Sequence, residues 1–326
     1  MKAAVKANVR SNGRLVIGSR GSKLALVQAG WVRDRLRAAH ADLEVTIEKI
    51  STKGDKLLDA PLAKIGDKGL FTKELETALL DGRIDLAVHS AKDMPTDLPR
   101  GLTIGALTER EDVRDVFVGS ASSLAAIPHG AKLGSSSLRR RSQVLALRPD
   151  LHLVDIRGNV QTRLRKIDEE GMVGTVLAAA GLRRLGQPEL IAFVFGFDEM
   201  LPAVGQGALA VETRVEDPRV ETLVAPLNDE ATALAVRAER ALMHALEGGC
   251  QVPIGALGEL KGERLRLRGF VGSLDGRRSV RAELAGPAAY PGRLGAALAE
   301  RLWERGADAI LAEVRGLSTP SATRPT

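Results

Sequence analysis

Leu15-Val16-Ile17-Gly18-Ser19-Arg20-Gly21-Ser22-Lys23-Leu24 decides how the rest of the chain is read. Three apolar residues in a row make a short buried strand, and the glycine- and serine-rich break ends it. Leu24, Val27, Trp31 and Leu36 follow at near-helical spacing, so a helix with these four on its inner face is expected. The same sequence of strand, polar break and helix then recurs. Leu43, Val45 and Ile47 alternate with polar residues as a second strand. A loop, Ser51 to Asp59, precedes a helix from about Thr72 that Asp81-Gly82 stops. Asp85-Leu86-Ala87-Val88-His89 is a nearly continuous apolar strand, followed at once by Ser90-Ala91-Lys92-Asp93-Met94-Pro95.

Farther along, Leu102 to Leu107 and Val116 to Val118 read as strands, and the charged stretch Thr108 to Asp115 between them as a crossing point between domains. Ser137 is placed to cap a helix that Pro149 stops after Arg148. Leu151, Leu153 and Ile156 mark a strand. Arg157-Gly158-Asn159 then opens a helix whose apolar face is Val160, Leu164 and Ile167. Val173 to Leu177 is another strand, Ala178 to Leu185 a short helix, and Phe193-Val194-Phe195-Gly196-Phe197 a packed strand or turn. Ala208 to Val211 is the last strand of this series. Strand–helix alternation up to about residue 212 argues an α/β architecture with mostly parallel strands.

After about residue 228 the order changes. A helix, Asp229 to Leu246, carries Leu234, Ala238, Ala241 and Ala245 as its inner stripe. Short strands around Leu265, Leu267, Val271 and Val280 follow, with Asp275-Gly276 as a turn. A helix from Arg293 to Arg305 comes next, and the residues from Ser318 read as a polar tail. This is a smaller α+β domain.

With 326 residues, 44% hydrophobic and 27% charged, the chain has ample material for globular cores, built from aliphatic residues because aromatics are only 3%. Forty-seven basic against 41 acidic side chains leave a net charge of +6. Such an excess suits nucleic acid, an anionic membrane or an acidic small molecule. Neither a recognition motif nor a set of aromatic stacking platforms is present, so the acidic small molecule is favoured. No apolar run approaches a membrane span. Met1 to Arg14 lacks the apolar centre of a secretory signal and reads as a disordered tail. The five histidines (His40, His89, His129, His152, His244) have no ligand spacing, so no protein-bound metal is expected. Gly205-Gln206-Gly207-Ala208-Leu209-Ala210 fits a G-x-G-x-x-A pattern but precedes a strand, which argues against a dinucleotide site.

Basic and hydroxyl residues gather just after the predicted strands: Arg20 and Ser22, Lys92 with Asp93, Ser135 to Arg140, and Arg157. Ligands of open α/β sheets sit at the carboxyl ends of strands, where helix N-termini favour anions. Arginine adds bidentate pairing with carboxylates. Each alone reads equally as a solvated surface residue; together they favour a polycarboxylate or phosphate site. Asp93 among these cations is either a salt-bridge partner or a group that handles positive charge and protons. Cys250 is the only cysteine, on a glycine-flanked loop, Gly248-Gly249-Cys250-Gln251-Val252-Pro253. It suits a reducing compartment, and is either an inert buried thiol or a covalent attachment point.

Several stretches resemble the porphobilinogen deaminase (hydroxymethylbilane synthase) family. They are Ile17-Gly18-Ser19-Arg20-Gly21-Ser22-Lys23-Leu24-Ala25, Lys68-Gly69-Leu70-Phe71-Thr72-Lys73-Glu74-Leu75, His89-Ser90-Ala91-Lys92-Asp93-Met94-Pro95, Ser136-Ser137-Leu138-Arg139-Arg140, Arg157-Gly158-Asn159-Val160, Leu201-Pro202-Ala203-Val204-Gly205-Gln206-Gly207 and the loop around Cys250. The resemblance implies two doubly wound α/β domains like those of periplasmic binding proteins, plus a smaller α+β C-terminal domain. The boundaries it suggests are 14–108 with 208–227, then 109–207, then 228–318, with tails at 1–13 and 319–326.

It further implies condensation of four porphobilinogen molecules into linear hydroxymethylbilane, with loss of four ammonia, in tetrapyrrole synthesis. A dipyrromethane cofactor attached through Cys250 would serve as primer. Carried over residue by residue, Asp93 becomes the catalytic carboxylate. Ser22, Lys92, Ser137, Arg139, Arg140, Arg157, Arg163 and Arg184 become cofactor binders. Arg20, Lys64 and Lys68, with Arg157, Arg163 and Arg184, become substrate binders. The expected protein is a cytoplasmic monomer without nucleic-acid or membrane partners. Two positions depart from the family pattern: Ala91 stands for a larger apolar residue, and Asp67 for glycine beside Lys68. A non-catalytic binder of organic anions, the alternative from another class, needs neither Cys250 nor Asp93.

Overall fold

The computed structural model describes residues 13–56, 71–246 and 252–318. They divide into two compact units, the first holding residues up to 109 together with 208–233, the second holding 110–207 and residues from 234 on. No described helix is long and apolar enough to cross a membrane.

In the first unit, β1 (Arg14–Arg20) lies between β2 (Glu44–Ile50) and β3 (Leu86–Ser90) and runs parallel to both. The sheet continues through β10 (Leu209–Arg214) to β4 (Leu102–Leu107), and β10 runs antiparallel to its two neighbours. Alternation along β1 splits the core between the two faces of the sheet. Leu15 and Ile17 pack with α1 (Lys23–Ala39), while Val16 packs with Leu75 and Leu79 of α3 (Lys73–Leu80). Each such aliphatic side chain taken out of water contributes about 1.5–3 kcal/mol. A Cβ on Gly18 would stand 2.3 Å from Ile84 Cδ1 and 3.1 Å from Leu75 Cδ2, so a larger residue there would have to displace the buried Ile84 side chain. The loop after β2 contains a short helix, α2 (Lys53–Lys56), and α7 (Pro218–Val224) follows β10.

The inner face of α1 differs from the one expected. Ala25, Gln28, Ala29, Val32 and Leu36 are buried, whereas Val27 and Trp31 are 36% and 38% exposed. Small side chains let the helix settle close to the sheet, which turns Trp31 outward, where the Arg35 guanidinium stacks on it at 5.0 Å.

The second unit repeats the pattern. Its strands are β5 (Asp115–Gly119), β6 (Lys132–Gly134), β7 (His152–Val154), β8 (Gly174–Ala178) and β9 (Phe193–Val194), in the order β7-β6-β8-β5-β9. Here too the strand in fourth place, β5, is antiparallel to its neighbours. Both sheets therefore have a parallel βαβ core, with one antiparallel strand inserted where the chain crosses from one unit to the other. Helices α4 (Leu138–Leu147), α5 (Val160–Glu169) and α6 (Ala179–Arg184) make the crossovers. The phenylalanine cluster is packing: Phe193 stacks on Phe117 at 4.8 Å and meets Phe195 edge-on at 5.1 Å.

The C-terminal layer has its own core. Antiparallel β11 (Ile254–Lys261), β12 (Arg264–Gly272) and β13 (Ser279–Pro287) pack against α8 (Glu230–Ala245), α9 (Pro291–Glu304) and α10 (Ala307–Ser318). The stripe of α8 is rotated from the expected one. Thr232, Ala233, Ala235, Val236, Ala238, Glu239 and Leu242 are its buried positions, and α9 presses Gly295 onto the backbone at Ala238 and Leu242. The last helix, α10, was not expected, although Ala307, Ile310, Leu311 and Val314 recur on one helical face and are buried. Glu239 is the polar centre of this layer. Its carboxylate accepts a fork from Arg110 (2.8 and 2.7 Å) and the amides of Gly205 and Gly258 (2.7 and 2.8 Å).

Candidate functional site

In the first unit the expected residues gather at the carboxyl ends of β1 and β3, adjacent strands from which the chain leaves in opposite lateral directions. Arg20 ends β1 and holds its guanidinium over the Phe71 ring, 4.2 Å from the centroid. Ser22 caps α1, its Oγ accepting from the Ala25 amide at 3.3 Å. Gln28 Nε2 donates to Ser90 Oγ at 2.9 Å, fastening α1 to the end of β3.

One 3₁₀ turn, Ala91–Asp93, follows β3. Ala91 and Met94 are buried, and the Ala91 amide donates to the Ala208 carbonyl. With both ends anchored, the turn displays Lys92 half-buried and Asp93 exposed. Asp93 takes part in no ion pair among the described residues.

Behind this turn lies a buried acidic group. His89 Nε2 is 3.0 Å from Glu212 Oε2, and Glu212 Oε1 has no hydrogen-bond partner among the described residues. Burial pushes the nearby Glu76 carboxyl above its usual range, and the Glu212 charge adds to this. A carboxyl raised on folding contributes stability below its unfolded pKa and loses it as pH rises through the folded value. Glu76→Gln should therefore raise the melting temperature near neutral pH, with a gain that shrinks toward pH ~4. Melting curves at both pH values check this; a loss near neutral pH that vanishes toward pH ~4 would show instead that the charge is needed.

In the second unit, Ser135, Ser136 and Ser137 follow β6, and Ser137 Oγ caps α4 by accepting from the Arg140 amide at 3.4 Å. Arg157 follows β7, half-buried, and its Nη2 is buried without a hydrogen-bond partner among the described residues. Burial lowers its pKa, opposed only by the Asp155 charge. Arg163, in the first turns of α5, donates from Nε to the Gly158 carbonyl at 2.9 Å. This ties it to the same loop as Arg157. Arg184, at the end of α6, donates from Nη2 to the Gly207 carbonyl at 2.6 Å. Burial pulls its pKa down to about 10, and the Glu111 charge only partly offsets this.

Arg139 and Arg140 are placed differently. Both are about 95% buried and both rest on Asp115, which is fully buried. Arg139 Nη1 is 2.6 Å from Asp115 Oδ2, and Arg140 Nη2 is 2.7 Å from Oδ1. Further donors reach the Leu201 and Val176 carbonyls, at 2.7 and 2.9 Å. Burial works to raise the Asp115 carboxyl, but the two guanidinium charges outweigh it and hold the group well below the usual carboxylate range. Sequence reasoning missed Asp115 and its third side-chain partner, Gln206, whose Nε2 donates at 3.1 Å. The one available signal was an acidic residue heading an otherwise apolar strand. Lys64, Lys68 and Cys250 lie outside the described residues.

The donor set suits a molecule with several carboxylates. Arg157 and Arg184 are desolvated cations with no ion-pair partner among the described residues, and each unit adds a capped helix N-terminus at its strand ends.

Comparison with known proteins agrees with this chemistry. Residues 15–222 match the family model described as porphobilinogen deaminase, dipyromethane cofactor binding domain, and residues 233–304 match that of the porphobilinogen deaminase C-terminal domain. The porphobilinogen deaminases of Geotalea daltonii and Geobacter sulfurreducens are each 52% identical over 301 residues, covering 92% of this chain and 95% of theirs. Among solved structures, the methionine binding protein MetQ is similar with a TM-score of 0.43 and 13% identity, over 66% of this chain and 89% of that one. With half of all positions shared along nine-tenths of its length, and both family domains matched in order, the chain belongs to the porphobilinogen deaminase family, the dipyrromethane-dependent enzymes that make hydroxymethylbilane in tetrapyrrole biosynthesis.

Proposed function

We propose that this chain holds its dipyrromethane primer through Cys250, seats the carboxylates of primer and substrate on Arg20, Arg157, Arg163 and Arg184, and uses Asp93 as the catalytic carboxylate. The observation that carries this reading is the pair of desolvated guanidiniums, Arg157 and Arg184, that lack a carboxylate partner among the described residues. Each porphobilinogen ring brings an acetate and a propionate, so every addition brings two negative charges to such a site. When bound, the dipyrromethane supplies the terminal pyrrole carbon that is extended.

The chain's own residues bind, orient and handle charge. Loss of ammonia from the substrate leaves an electron-poor pyrrole whose positive charge reaches the ring nitrogen. Asp93, exposed and free of ion pairs among the described residues, offers a fixed carboxylate to offset that charge and to receive the proton that the attacked pyrrole sheds as it regains aromaticity. Lys92 beside it and the α1 N-terminus at Ser22 favour substrate carboxylates at the strand ends of the first unit, and the α4 N-terminus at Ser137 does the same at those of the second. Lys64 and Lys68 are proposed as substrate contacts on the family pattern alone. A lone cysteine among 326 residues suits the reducing cytoplasm, where we propose that the chain acts as a monomer.

Arg157 gives the test. Truncating Arg157 to alanine leaves a substrate carboxylate unpaired, which costs roughly 2–5 kcal/mol where the pair is desolvated. Porphobilinogen consumption by Arg157→Ala should show a raised KM, and Arg157→Lys should restore it only in part, because ammonium lacks the planar fork. An unchanged KM with a lowered melting temperature would make Arg157 a structural residue.

A further inference from the structure

Two cations that share a single anion leave one positive charge over. Arg139 and Arg140 both rest on Asp115, and no other carboxylate reaches either of them among the described residues. The trio is buried to the last tenth, so its surplus charge is not dispersed by water. Stability alone explains such a cluster poorly, since buried arginine–carboxylate–arginine groups are commonly no better than apolar residues of the same size.

Its position is informative. Asp115 opens β5 and pairs with Ala178, the carboxyl end of β8. The antiparallel strand thus delivers a carboxylate to the end of the sheet where the parallel strands finish. From there Asp115 joins α4 through both arginines, β8 through the Val176 carbonyl that Arg140 holds, and the Leu201–Gly207 loop through Leu201 and Gln206. Gln206 also donates to the Val113 carbonyl at 2.8 Å. That loop carries the Gly207 carbonyl on which Arg184 rests. Gly207 has φ +91°, and a Cβ there would lie 2.5 Å from the Glu111 carbonyl, so the loop has little room to shift.

We propose that Asp115 is a positioning residue of the reaction: without touching substrate, it sets the forks of Arg139 and Arg140 and the Gln206 loop so that the surplus positive charge of the trio faces a carboxylate of the growing pyrrole chain. This rests on the function proposed above. Arg139 and Arg140 then owe their role as much to Asp115 as to the ligand, and Asp115 fixes the net charge of the seat at +1.

The test uses full-length Asp115→Asn and Asp115→Glu with the wild type alongside. Each is measured for melting temperature, for adduct by intact mass after exposure to porphobilinogen, and for kcat and KM. Asp115→Asn removes the shared charge and turns one of the two acceptor oxygens into an NH₂ donor, so below its melting temperature it should load the adduct poorly and lose roughly 100-fold in turnover, the scale of an ångström-sized misplacement. Asp115→Glu keeps the charge and should recover loading with an intermediate kcat. Wild-type loading, kcat and KM in Asp115→Asn, with only the melting temperature lowered, would overturn the proposal. If Asp115→Asn does not fold, Asp115→Glu decides, and wild-type constants there would count against it. A wild type that itself carries no adduct and consumes no porphobilinogen would instead refute the proposed function.

Discussion

Cys250→Ser should give a folded chain that carries no adduct and releases no hydroxymethylbilane. Serine keeps nearly the size of cysteine but removes the thiolate, the group able to attach a pyrrole under mild conditions. Folding should survive because the described residues on either side, Leu246 and Ile254, belong to the C-terminal core together with Leu242, Leu265 and Leu267. The expected loss is complete, since a chain without its primer has nothing to extend. Intact mass, a melting curve and a bilane assay check it together. Normal turnover by a bare Cys250→Ser chain would remove the cysteine from the mechanism.

Asp93→Asn should lose roughly 100- to 1,000-fold in the rate of ring addition, the usual cost of one preorganised electrostatic contact. The change keeps size and removes charge. Ala91 and Met94 anchor the turn on both sides of Asp93 and remain as they are, so its geometry should hold. With no ion pair to lose among the described residues, the melting temperature should hardly move, and the adduct should still be present. Single-turnover product formation beside a melting curve separates the alternatives. A near-native rate would leave Asp93 without a catalytic role, and a large drop in melting temperature with the rate retained would return it to the salt-bridge reading.

Strand and helix boundaries were legible where turn chemistry was local. Ser137 caps the helix expected of it, Ser22 and Asn159 cap helices expected to begin there, and Gly82 and Gly276 sit at positive φ where the chain was expected to stop or turn. Direction and depth were not legible, because both depend on partners far along the chain. Nothing local marks β10 as antiparallel, since its neighbours β3 and β4 lie more than 100 residues earlier. The face of α1 differs from the expected one because the spacing of Leu24, Val27, Trp31 and Leu36 was followed, whereas close approach to the sheet selects Ala25 and Ala29.

The candidate site divides in the same way. Arg20, Ser22, Lys92 and Asp93 follow their strands directly, so a strand-end rule finds them. Arg139 and Arg140 were equally visible, but their counter-ion was not. Asp115 lies 24 and 25 residues before them, and sheet pairing alone brings it to them.

The most direct measurement is the intact mass of the wild-type chain as purified, and again after porphobilinogen is added in small portions. The account predicts a chain already heavier by two pyrrole units. It then predicts a ladder of single-ring steps up to four, and a return to the starting mass as bilane is released. A bare chain whose mass does not change, in a solution whose porphobilinogen is not consumed, would contradict it.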